Sequence, residues 1–137
     1  MSNSAIRAAL TTRLFAMANC IPKEQTEFEN DEEFSGTANV PYQRVSLNPA
    51  APFDYSGLPG DKQLKGIFQV SLCFPADAGP GDADDYADTL QAWFAKGLQV
   101  TANGVNTRID RTPEIRQGRR EGDRWVVPVR IFYFANV

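Results

Sequence analysis

A chain of 137 residues that is 42% hydrophobic and 23% charged is long enough for one domain with a real core, spanning 1–137. Its formal net charge of −3 excludes a molecule that gathers nucleic acid through overall charge. The absence of histidine removes the commonest general base and metal ligand.

Residues 4–18 read as a helix about 22 Å long. Ile6, Leu10, Leu14 and Met17 recur at spacings of four, four and three and should face the core, with Arg7 and Arg13 off that stripe. Ser2, Asn3 or Ser4 is available as N-cap, and Pro22 ends the element. Residues 23–39 are acidic, with Glu24, Glu27, Glu29, Asp31, Glu32 and Glu33 broken by Phe28 and Phe34. That pattern fits a solvated loop, or a surface for a basic partner anchored by Phe28 and Phe34. Residues 40–47 form a short strand, followed by a long loop over 48–62 that carries Phe53 and Tyr55.

The run 65–74 alternates strictly. Phe68, Val70, Leu72 and Phe74 share one face, and Ile67, Gln69, Ser71 and Cys73 the other, which is a half-buried strand. Pro75 and the Gly79-Pro80-Gly81 turn then lead to a helix that Asp82 can cap, with Tyr86, Ala87, Leu90, Trp93 and Phe94 as its apolar stripe and Gly97 as its C′ residue. Asn103-Gly104 between residues 98–101 and 105–109 is a strong hairpin signal. Residues 116–123 read as a charged, flexible turn. Residues 124–134 form a last strand that is apolar on both faces, so both need covering, if necessary by neighbouring subunits. Pro128 places it at an edge or a bulge. The fold expected is α+β, two helices packed on a mainly antiparallel sheet of about five strands.

Little here suggests chemistry. Cys-x-x-Cys pairs and Walker or dinucleotide glycine loops are missing. Cys20 and Cys73 are expected as free thiols, Cys73 as apolar filler in the strand. Asp82, Asp84 and Asp85 suit a helix N-terminus or could hold a hard cation, and together with Asp88 they could form half of an interface with arginines. Arg116, Arg119 and Arg120 suit a solvated tip, a phosphate contact or a protein contact. No catalytic residue, metal site or cofactor is expected. No apolar run approaches the roughly 18 residues that span a membrane, and no signal peptide opens the chain, so a cytoplasmic setting is expected.

Several short motifs occur together. They are Ile6-Arg7-Ala8-Ala9-Leu10, Pro41-Tyr42-Gln43-Arg44-Val45, Lys65-Gly66-Ile67-Phe68-Gln69-Val70, and Gly79-x-Gly81 leading into Tyr86-Ala87-Asp88. Near the end come Arg108-Ile109-x-Arg111 and Asp123-Arg124-Trp125-Val126-Val127-Pro128-Val129. In this layout the chain resembles the tail-terminator-like family of bacteriophages and prophages across nearly its whole length. The resemblance implies a structural, non-enzymatic subunit of a hexameric ring in the virion tail, assembled in the bacterial cytoplasm. Such a ring caps the tube of major tail protein and joins head-completion or connector proteins, while DNA passes through as cargo without specific contact. Charge nominates Asp82, Asp84 and Asp85 against Arg116, Arg119 and Arg120 as ring contacts. The aromatics Phe53 and Tyr55, with Phe28 and Phe34, are nominated for docking on the tube or another partner. The runner-up role is a head–tail connector or tail-completion protein, and a small ligand-binding or enzymatic domain comes third.

Overall fold

The computed structural model describes residues 2–29, 40–77 and 79–136, the side chain of Ser2 aside. In chain order the elements are α1 (Ser2–Phe15), β1 (Thr26–Phe28), β2 (Tyr42–Pro49), β3 (Gln63–Pro75), α2 (Gly81–Trp93), β4 (Gln99–Ala102), β5 (Val105–Ile109), β6 (Glu114–Ile115), β7 (Arg119–Glu121) and β8 (Arg124–Asn136). The class is α+β. Among the described residues the sheet has eight strands rather than about five, in the order β1-β2-β3-β8-β5-β4 with β6 and β7 also on β8, and β1 runs parallel to β2.

The frame is the antiparallel pairing of β3 with β8 over their full lengths, from Gln63 opposite Asn136 to Pro75 opposite Arg124. At roughly 3.3 Å per residue this ribbon is about 40 Å long. Alternation then divides the side chains. Phe68, Val70 and Leu72 of β3 and Val127, Val129, Ile131 and Tyr133 of β8 are buried on the face that carries both helices. Ile6, Leu10 and Leu14 of α1 and Ala83, Ala87 and Leu90 of α2 close over them, as the helical spacings require.

The last strand is central, not an edge. Along its second side β5, β6 and β7 follow one another, meeting Tyr133–Phe134, Val129–Arg130 and Arg124–Val126. The proline fits because of the ladder's alternation. Pro128 opposes Ser71 on β3, and its carbonyl accepts the Arg116 N–H at 2.8 Å on the other side. Its nitrogen therefore faces the gap between β6 and β7, where no ladder bond is lost.

Other boundaries also move. Ser2, Asn3 and Ser4 lie inside α1, which stops at Phe15, while Met17 is buried in the turn beyond. The acidic stretch is no plain loop, since a short 3-10 turn (Lys23–Gln25) runs into β1. Residues 30–39 of that stretch, Phe34 among them, lie outside the described residues. Pro80, not Asp82, is the N-cap of α2, and Asp82 sits in the first turn as a partner of the helix dipole. Gly97 is not the residue after that helix. The C-cap is Phe94, and Gly97, at φ 86°, turns the chain into β4. The expected Asn103-Gly104 turn is present, with φ of 51° and 79°. Residues 119–121 of the expected flexible turn are strand β7.

Two contacts hold α1 in place, a reciprocal one against α2 and a shared acceptor that ties it to β2. Trp93 Nε1 donates to the Arg13 carbonyl at 2.7 Å, and Arg13 Nη2 donates to the Trp93 carbonyl at 3.0 Å with its guanidinium 3.6 Å over the indole. Glu29 accepts from Arg7 of α1 at 2.6 Å and from the Leu47 N–H of β2 at 2.8 Å. Burial alone would raise the Glu29 carboxyl, but these two donors outweigh it and hold it below its usual range.

Gly66 lies under the Tyr133 phenol, and a Cβ there would fall 2.5 Å from the Asn48 carbonyl oxygen and 2.7 Å from Tyr133 Oη. Gly66→Ala should therefore cost ~1–3 kcal/mol of overpacking. Gly57→Ala, whose methyl meets nothing within 4 Å, should cost little. Equal urea midpoints for the two would refute the account. Burial also pushes the Tyr133 phenol from its ordinary 10 up to about 12, with Arg7 pulling the other way, and Tyr133 Oη has no hydrogen-bond partner among the described residues. Between those two pH values the unfolded chain releases a proton that the folded chain holds, so stability falls as pH rises through this window. Tyr133→Phe should be near neutral at pH 7 and should reduce the alkaline loss by on the order of 1–1.5 kcal/mol at pH 11. Denaturation series at pH 7, 9 and 11 would read both.

Candidate docking surfaces

Three surfaces remain after the core is accounted for. The first is the β2–β3 loop. Phe53, Tyr55 and Leu58 are the exposed large hydrophobics among the described residues, at 54%, 48% and 69%. The loop is braced by its own bonds. Phe53 and Gln63 exchange N–H to carbonyl bonds of 2.9 and 2.7 Å, which prolongs the β2–β3 hairpin. Ser56 Oγ donates to Asp61 Oδ2 at 2.9 Å and accepts from the Leu58 N–H at 3.0 Å. With Gln63 and Asn136, Phe53 and Tyr55 line a shallow hollow of about 210 Å³. An apolar group held out on a braced turn is suited to docking on protein.

The second surface is the outer side of α2. Ala83, Ala87 and Leu90 turn inward, which leaves Asp82, Asp84, Asp85 and Asp88 exposed. Among the described residues none of the four joins an ion pair, and α2 contains no basic residue.

The third is the sheet face turned away from the helices. By register it carries Arg44, Lys65, Arg108, Arg119, Arg124 and Arg130 against Glu27, Glu114 and Glu121. Half-buried Ile67, Pro128, Phe132 and Phe134 lie between them. Arg44 and Arg119 share Glu121 at 3.5 and 3.2 Å, and Arg130 reaches Glu114 at 4.0 Å. Near Arg44, Arg119 and Glu121 the face hollows to about 350 Å³. Cys73 is buried here. Burial pushes its thiol up, while Arg44 and Tyr42 pull the other way, so a protonated filler fits better than a nucleophile.

The nominated residues are thus spread out. Phe53 and Tyr55 stand together, joined by Leu58, which has no aromatic ring to draw attention. Phe28 is half-buried and meets Phe15 edge-on at 6.3 Å, so much of its surface is already used. Of the three nominated arginines, Arg119 borders the hollow on the face away from the helices, and Arg116 leans on Glu114 at 3.3 Å. Arg120 pairs with Asp77, beside Trp125 and Pro80 just ahead of α2. Arg44, Lys65, Arg108 and Arg130 were missed as a group. The period-two register of β3 and β8 puts them on one face, but only once the strands are paired.

Among the described residues no three His, Cys, Asp or Glu side chains gather as a metal-holding group, and no helix is long and apolar enough to cross a membrane. Residues 5–133 match the family model described as Phage tail terminator protein. One solved structure is 26% identical to this chain, covers 100% of it and 97% of its own chain, and superposes with a TM-score of 0.78. No curated protein matches.

The exposed ion pairs on these surfaces hold little folding energy. Arg120→Ala and Asp77→Ala should each change stability by less than ~1 kcal/mol. Thermal melts that show a larger loss would make this pair part of the fold and not of the surface.

Proposed function

The chain belongs to the phage tail terminator family, and from that premise we propose that six copies form a ring that caps the tail tube, ends its polymerisation and offers the surface to which head-completion or connector proteins join. It is a phage tail structural protein. Nothing in the proposed role calls for a catalytic residue, a cofactor or a metal. DNA crosses the ring as cargo.

The observation that carries this reading is the concentration of Phe53, Tyr55 and Leu58 on one braced tip at an end of the β3–β8 ribbon. A ring carries one such tip per subunit, all pointing the same way. Each tip can bury only a few apolar side chains, worth on the order of 1–3 kcal/mol apiece. Tips held on one ring engage a tube end together, so weak single contacts become a stable cap. The same arithmetic lets a ring that is marginal in solution form on the tube as its template. Laterally, Asp82, Asp84 and Asp85 of one subunit approach the arginine-bearing strands of the next, Arg116, Arg119 and Arg120 among the candidates. The two patches differ, as a closed heterologous ring requires.

Phe53→Ser combined with Tyr55→Ser should leave the fold intact and abolish capping. Negative-stain images of purified chain mixed with tail tubes would show caps with the wild type and bare ends with the variant. Variant caps as frequent as wild-type caps would move the docking surface elsewhere. Wild-type chain that ignores tubes but binds portal or head proteins would make it a connector.

A further inference from the structure

We infer that the sheet face turned away from the helices, at the end where Lys65 and Arg108 are exposed, is the socket for α2 of the neighbouring copy, a surface that rests on the ring reading and extends it beyond the nominated arginine turn. The chain as a whole is mildly acidic at −3, yet its charge is separated between two opposite sides. The sheet face carries six cations and three acids, and among the described residues Lys65 and Arg108 there have no ion-pair partner. The outer side of α2 carries Asp82, Asp84, Asp85 and Asp88 with no cation of its own. The helices cover one face of the sheet, so the exposed side of α2 points away from the socket of its own chain. An acidic surface and a basic surface back to back on one subunit meet only between copies, which is the heterologous arrangement that closes a ring.

The sheet face also bears apolar surface that a partner would use, in half-buried Ile67, Phe132 and Phe134. Arg111 lies 4.5 Å over the Phe132 ring at the apolar end of the face. A smooth phosphate backbone would meet Glu27, Glu114 and Glu121 on this face, whereas an acidic helix whose exposed Thr89 and Ala92 follow its charges has apolar contact to offer as well.

The test is a charge swap. Asp85→Lys with Asp88→Lys makes a chain that is basic on both sides, and Lys65→Glu with Arg108→Glu makes one that is acidic on the helix and weakened in the socket. All four positions are exposed and carry no in-chain ion pair among the described residues. Each variant alone should associate at least tenfold more weakly than wild type by light scattering, and an equimolar mixture should recover assembly as an alternating ring. Should a reversal fail to fold by circular dichroism, Asp85→Asn with Asp88→Asn and Lys65→Gln with Arg108→Gln should each still weaken association. Wild-type rings with unchanged rings in both variants would overturn the inference and leave the ring reading standing. Wild type that forms no ring alone or on tubes would overturn both. Intact rings with lost binding to a 30-base-pair duplex in the socket variant would assign the face to nucleic acid instead.

Discussion

The structure depends on one pairing, the full-length antiparallel contact of β3 with β8. Once its register is set, every side chain of the two strands is assigned to a face, because a slip of one residue would exchange the faces. Phe68, Val70 and Leu72 then meet Val127, Val129 and Ile131 under the helices, and Arg130 is sent to the opposite side. The remaining strands attach to this ribbon. β2 lies along β3, and β5, β6 and β7 share the far side of β8. Tyr133 packs against Gly66 across the ribbon, its hydroxyl close to where a side chain at 66 would stand.

Local periodicity made much of this visible in the chain itself. Alternation over 65–74 and 124–134 and the apolar stripes of both helices identified most of the buried core, since these signals come from residues close together in sequence. Strand partners could not be read the same way. Pro128 suggested an edge because a proline removes one donor, but whether that donor is needed depends on which neighbour stands beside it, and β6 and β7 leave a gap there. Two- and three-residue strands such as β6 and β7 are also too short to show a period. Arg119 and Glu121 in a glycine-flanked charged run looked like a turn, and pairing with β8 makes their segment a strand.

The docking surfaces divide along the same line. Phe53 and Tyr55 could be singled out in sequence because aromatics in a polar, proline-rich loop are unusual. The basic face could not. Lys65, Arg108 and Arg130 are isolated charges in three separate segments, and only the register gathers them. Overall charge concealed them further, since the aspartates of α2 and the cations of the sheet nearly cancel in the sum.

The proposed contacts differ in kind, and the difference suits assembly on a template. Lateral contacts between copies would be chiefly charged, partly exposed and screened by salt, so each is weak by itself. Axial contacts would be apolar and would act on all subunits at once. A subunit with strong lateral contacts would close rings anywhere in the cell, before a tube existed to cap. One with weak lateral contacts and an apolar tip assembles where a tube end supplies the missing free energy by holding several copies side by side. On this view the separation of charge from apolar surface, set by which residues the β3–β8 register turns outward, decides where the ring forms.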